Sequence, residues 1–77
     1  MKVFILTPEK TIYEGEAISL YAPGVDGSFQ LLDHHASMIA LLKEGKLLLD
    51  QSPSLIFCIK NGILEVKNGK VKILINS

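Results

Sequence analysis

His34 and His35, with Asp33 beside them, are the residues in this chain best suited by type to metal or proton chemistry. On an extended segment adjacent residues point to opposite sides, so the two imidazoles cannot easily meet one metal ion. No third ligand is evident elsewhere in the sequence, which leaves no metal site to assign. His35 reads better as a surface residue that contacts a partner, and His34 as a plain loop residue. Cys58 is the single cysteine and lies inside the apolar run Leu55-Ile56-Phe57-Cys58-Ile59. It is expected to pack as a small core hydrophobe, with no Asn or Asp placed to complete a triad with it and a histidine. Gly24 and Gly27 lack the Gly-Lys-Ser/Thr ending and following helix of a phosphate loop. The acids Glu9, Glu14, Glu16, Asp26, Asp33, Glu44, Asp50 and Glu65 are scattered near turns and outer faces and are expected to be solvated. No pair has the buried setting that splits two carboxyl pKa values for catalysis. The sequence therefore offers no catalytic residue, no metal site and no cofactor site.

The stretch Pro23-Gly24-Val25-Asp26-Gly27-Ser28-Phe29-Gln30-Leu31-Leu32, continuing to His34-His35-Ala36, is more informative. It reads as strand, tight turn, strand, then a polar corner leading into a third strand. Phe29 faces either outward as an aromatic anchor or inward as core. Alternation does not settle the choice, because Leu31 and Leu32 give each face an apolar residue. The reading leans to core for Phe29 and to an interface for Asp26, Gly27 and Ser28.

Seventy-seven residues make one domain, residues 1–77, which buries only about 60% of its unfolded surface and has a thin stability margin. No disulfide framework compensates, so the apolar runs must. Those runs are too short to cross a bilayer as helices, and the start lacks the features of a signal peptide. A cytosolic protein with a reduced thiol is expected. Eight basic and eight acidic residues balance, leaving no broad basic field for nucleic acid.

The elements that must position these residues read as strands. Short apolar runs are broken at Thr7-Pro8-Glu9-Lys10, Glu14-Gly15, Pro23 to Gly27, Lys43-Glu44-Gly45, Ser52-Pro53-Ser54, Asn61-Gly62 and Asn68-Gly69. Such punctuation predicts an all-β sandwich or barrel. Asn68-Gly69 suits a type I′ turn, which pairs Lys67 with Lys70, Val66 with Val71, Glu65 with Lys72 and Leu64 with Ile73. The apolar set then shares the core face. A slip of one residue would expose it. Ile18, Leu20 and Ala22 should share one face, Ser19 and Tyr21 the other. Ser37-Met38-Ile39-Ala40-Leu41-Leu42 favours a strand and is apolar on both faces. It is therefore either a central strand buried on both sides or a strand with one face against another protein.

The ordered set of these segments resembles the ε subunit of bacterial F-type ATP synthases, in its N-terminal β-sandwich domain. The residues that carry the resemblance are Leu6-Thr7-Pro8-Glu9, Tyr13-Glu14-Gly15-Glu16-Ala17, Ala22-Pro23-Gly24-Val25-Asp26-Gly27-Ser28-Phe29-Gln30-Leu31-Leu32, His35-Ala36, Met38-Ile39-Ala40-Leu41-Leu42, Lys43-Glu44-Gly45-Lys46-Leu47 and Asn61-Gly62-Ile63-Leu64-Glu65-Val66. They follow the family's order across essentially the whole chain. The resemblance implies a small antiparallel β-sandwich of about ten short strands. It implies a non-catalytic rotor subunit between the γ subunit and the c-ring, coupling proton transport to ATP synthesis. Its place would be peripheral, on the cytoplasmic side of the bacterial plasma membrane, through the complex and without membrane insertion. By the family's pattern Asp26, Gly27, Ser28 and Phe29 would face the c-ring, and His35, Ala36 and Ala40 would lie toward γ.

The chain departs from the pattern at Asp33-His34, where a Pro-Gly-like turn is usual, and at Ser37, where proline is usual. The corner is expected to be less rigid for it. Ser28 stands where many relatives carry an acid, so an ionic contact to the c-ring would be lost there. Many relatives continue into a C-terminal helical hairpin that brakes hydrolysis. A chain that ends naturally at Ser77 is expected to couple without inhibiting in that way. Isolated, such a domain presents edge strands through which two copies can pair. The rival reading is a stand-alone β-sandwich adaptor for another partner. A small hydrolase ranks last, for want of a paired nucleophile and base.

Overall fold

The structure, a computed structural model, describes residues 1–50 and 55–76. These residues form nine strands: β1 Lys2–Leu6, β2 Thr11–Glu16, β3 Ser19–Ala22, β4 Phe29–Leu32, β5 Met38–Leu42, β6 Gly45–Leu49, β7 Ile56–Ile59, β8 Asn61–Lys67 and β9 Lys70–Asn76. Among the described residues no helix is long and apolar enough to cross a membrane. Two sheets form, a five-stranded one in the order β2-β1-β9-β8-β5 and a four-stranded one in the order β4-β3-β6-β7. All pairings are antiparallel except β1 with β9, which is parallel. Of the sandwich and the barrel that the turn spacing allows, the fold is the sandwich, with two separate sheets.

The β8–β9 hairpin has the register read from Asn68-Gly69, with Lys67 opposite Lys70, Val66 opposite Val71, Glu65 opposite Lys72 and Leu64 opposite Ile73. Both turn residues have positive φ, 53° at Asn68 and 75° at Gly69, as a type I′ turn requires. Leu64, Val66, Val71 and Ile73 are buried. They meet Val3, Ile5, Leu20, Leu31, Leu47 and Leu49 in one core.

Two devices close the sides of the sandwich. On one, the rings of Tyr13 of β2 and Phe57 of β7 pack tilted at 60°, with centroids 5.5 Å apart. On the other, Gly24 bridges to Leu42, Val25 N–H donates to Leu41 O at 2.9 Å, and Lys43 N–H donates to Pro23 O at 2.9 Å.

Several local expectations are corrected. Glu14-Gly15 does not break a strand: β2 runs through it, with Gly15 opposite Val3. Asn61-Gly62 likewise lies inside β8, and Gly62 pairs with both Leu42 and Ile75. The break falls on Lys60, where the chain passes from one sheet to the other. Ile18 is 70% exposed and does not share the face of Leu20 and Ala22. It sits in the corner between the sheets, so strand alternation starts only at Ser19. Ser19 is buried, its backbone tied to Asp50 in both directions: Ser19 N–H donates to Oδ1 at 3.1 Å, and Asp50 N–H donates to Ser19 O at 3.0 Å. Cys58 is exposed, not core. On β7 it is Phe57 and Ile59 that point inward, and alternation places Cys58 outside. Asp50 is more than a solvated acid, since Oδ1 also accepts from Ile18 N–H at 2.8 Å. The Ser52-Pro53-Ser54 break lies outside the described residues.

Candidate functional site

β5 is the edge of the five-stranded sheet, not a central strand buried on both sides. Leu42 is buried and Met38 and Ala40 are half-buried, while Ile39 and Leu41 stand 70% and 59% exposed. The registers carry this outward apolar character across the sheet. Leu6 on β1 is opposite Leu74 on β9, Leu74 is opposite Ile63 on β8, and Ile63 is opposite Leu41 on β5. Leu74 and Ile63 are each 47% exposed. Four apolar side chains thus form a row across four strands on the outer face, with Ile39 beside it. Open grooves of about 400 Å³ and 350 Å³ follow this row. The first also takes in Pro8 and Val25. Three strand spacings make the row about 14 Å wide, wide enough for one helix about 10–12 Å across. An exposed apolar strip of this kind marks an interaction surface.

The loop 24–28 flanks one end of β5. Val25, Asp26, Gly27 and Ser28 are exposed, whereas Phe29 is half-buried and packs on the core. A Cβ built on Gly24 would come 2.8 Å from Phe29 Cε1 and 2.6 Å from Gly27 O. Only glycine lets the loop fold this tightly over the ring. The exposed tip is therefore Val25 to Ser28, with the aromatic ring beneath it.

The corner 33–37 flanks the other end. His34 has φ of 66°, so the Asp33-His34 step is a turn and not an extended segment. His35 and Ala36 are exposed. His35 Nδ1 lies 2.8 Å from Ala36 O. A carbonyl only accepts, so Nδ1–H donates in this contact. Asp33 Oδ1 accepts from the Met1 ammonium at 2.6 Å, and that ammonium also donates to Ala17 O at 2.8 Å. The hydrogen bond to this ammonium, with its positive charge, holds the Asp33 carboxyl below the usual carboxylate range, against a smaller opposing effect of burial. Among the described residues no group of three or more His, Cys, Asp or Glu side chains is placed to hold a metal ion.

The residues singled out in the sequence fall into two separate places. Asp26, Gly27, Ser28 and Phe29 lie at one end of β5; His35 and Ala36 lie at the other, about 13 Å away by strand rise. Ala40 sits between them and faces the core side. Sequence reasoning missed Leu6, Val25, Ile63 and Leu74. The signal was present for two of them: two residues past the Glu65–Lys72 pair, the hairpin register places Ile63 opposite Leu74 on the outer face.

The family model described as "ATP synthase, Delta/Epsilon chain, beta-sandwich domain" matches residues 1–77. The chain is 41% identical over 75 residues to an ATP synthase epsilon chain of Chlorobium limicola, covering 95% of this chain and 85% of that protein. It is 36% identical over 75 residues to an ATP synthase epsilon chain of Leptospira interrogans, covering 96% of this chain and 59% of that one. Among solved structures, a chain of the Euglena gracilis mitochondrial ATP synthase (OSCP/F1/c-ring) superposes with a TM-score of 0.84 at 16% identity, over 97% of this chain and 49% of that chain. A chain of the Tetrahymena thermophila mitochondrial ATP synthase central stalk and c-ring gives 0.79 at 16% identity, over 99% of this chain and 63% of that chain. At these identities the structural likeness is one of fold.

Proposed function

The chain belongs to the family of the ATP synthase delta/epsilon-chain β-sandwich domain, and on that premise we propose that it is a non-catalytic central-stalk subunit of a proton-translocating F-type ATP synthase. It bridges the γ subunit and the c-ring and couples proton transport to ATP synthesis. It is held at the cytoplasmic side of the bacterial plasma membrane through the complex. The observation that carries this reading is the exposed apolar row Leu6–Leu74–Ile63–Leu41 with Ile39, on a sheet face that a protein acting alone would leave wet. γ covers this face and the His35-Ala36 corner, with Ala40 on the strand between. The tip Asp26-Gly27-Ser28, seated on Phe29, meets the c-ring. A bridging part needs two surfaces that do not compete, and the separation of the two loops by the length of β5 supplies them.

Size-exclusion chromatography of the chain with the γ subunit of the same organism tests this. Ala40 is a poor probe, because a bulky charge there would enter the sandwich beside Met38 and Leu42. Leu41→Asp is the better one, since Leu41 already faces solvent. Co-elution of the wild type that is lost with folded Leu41→Asp is the expected result. Separate elution of folded wild-type chain and γ at micromolar concentration would sink the reading and favour an adaptor for another partner.

A further inference from the structure

Charge is unevenly placed on the outer face that carries the apolar row. Lys67 is opposite Lys70 across β8–β9, and Lys70 is opposite Lys2 across β9–β1. With Lys72 on the next outward position of β9, half of the chain's eight lysines stand on three adjacent strands at one end of one sheet. Directly opposed like charges destabilise a ladder. Lys2 has a counter-ion in Glu14 at 3.4 Å, and Lys72 is opposite Glu65. Among the described residues no carboxylate lies within 4.0 Å of Lys67 or Lys70. Lysines that guard a sheet against edge-to-edge pairing belong on edge strands, but β8 and β9 are inner strands. A hollow of about 180 Å³ lies among Glu65, Lys67, Asn68, Lys70 and Lys72, and through Glu65 and Lys72 it adjoins the apolar groove.

We infer that the partner segment covering this face is an amphipathic helix with an acidic end, at least two of whose carboxylates meet Lys67 and Lys70. The inference rests on the docking role proposed above and names the chemistry of that partner. An acidic polypeptide fits better than a simple anion, because the basic cluster runs into an apolar row that a free phosphate could not cover. The spacing sets a further condition. Lys70 and Leu74 are four residues apart on β9, about 13 Å, which is about nine residues of helix. The partner's acids should therefore stand about nine positions from the apolar side chain that meets Leu74.

The test is a binding titration of the chain against the purified γ subunit of the same organism, at low salt and near 1 M salt. Wild type is compared with K67E/K70E, K67Q/K70Q and Leu74→Asp. K67E/K70E is expected to weaken binding about tenfold or more at low salt through slower association, with the difference shrinking at high salt. K67Q/K70Q should give a smaller loss of binding and, with the like-charge opposition removed, a slightly higher Tm, which also shows that the fold is kept. Reversing the matching acids of γ to lysine should restore binding to K67E/K70E. Unchanged binding by K67E/K70E, with binding lost in Leu74→Asp, would overturn the electrostatic inference and leave the docking face standing. Full binding by Leu74→Asp, or none by wild type, would overturn both. Phosphatidylglycerol vesicles form the remaining arm. Vesicle binding lost in K67E/K70E while γ binding stays unchanged would assign the lysines to a lipid surface and overturn the inference.

Discussion

Replacing Ile39 and Leu41 together by threonine should separate docking from folding. The two side chains are 70% and 59% exposed, so a partner that covers β5 buries the equivalent of somewhat more than one whole aliphatic side chain. At about 1.5–3 kcal/mol for full burial of such a side chain, and with threonine keeping part of the contact, the loss is about 2 kcal/mol. That is about a 30-fold rise in Kd. Threonine is a good strand former, and the replaced atoms are already wet, so folding stability should move by less than about 0.5 kcal/mol. Calorimetric titration against γ reads the first quantity and urea unfolding of the chain the second. Leu64→Ala, one strand away but fully buried, is the contrasting control, and should lower folding stability by about 2–5 kcal/mol. A Kd within about threefold of wild type would refute docking through β5. A fall in Tm of more than about 10 °C would show that Ile39 and Leu41 support the fold instead.

The remaining predictions concern the two corners and the turn that frame this face. In Asp33 the folded carboxyl titrates below its ordinary 3.8 because of the Met1 ammonium. Its contribution is complete above the ordinary value and is lost as pH falls through the lower folded value. Asp33→Asn should therefore be less stable than wild type at neutral pH, with the gap closing below about pH 4; a gap constant over pH 2–7 in urea midpoints would refute this. Gly24→Ala forces its new Cβ against Gly27 O and the Phe29 ring. It should cost about 1–3 kcal/mol and shift amide NMR signals across residues 24–29, and unshifted signals would count against the packing described. Gly69→Ala meets no atom within 4 Å but keeps φ of 75°, so backbone strain alone should cost about 1–2 kcal/mol, read from denaturant unfolding. No loss would deny the type I′ turn.

The turn chemistry and the period of two were enough to specify an all-β sandwich or barrel, and one hairpin to the residue. Asn68-Gly69 demands positive φ, and the alternation of Leu64, Val66, Val71 and Ile73 admits one register, so local rules and burial agree. The loop 24–28 was legible for a similar reason, because its glycines and its place between strands leave few alternatives. Where the chain crosses between sheets the local signal misled. Ile18 sits in such a corner, outside any strand period. Asn61-Gly62 has turn residues inside a strand, because the crossing is made at Lys60 alone.

The candidate site was legible only in part. The strand Met38–Leu42 declared itself apolar on both faces, but its sequence does not say whether it is central or an edge. That depends on where β5 lands in the strand order, a matter of contacts far apart in the chain. Only the tertiary structure aligned Leu6, Leu74, Ile63 and Leu41 into one exposed row, because each belongs to a different strand and the row exists only through three registers. It also turned Ala40 inward and Cys58 outward, and it set Lys2 beside the Lys67–Lys70 pair that the turn already implied. Composition and spacing decide which residues can be strands and which turns can join them. Which strands are neighbours, and so which side chains share a face, is decided by the packing of the two sheets around their common core.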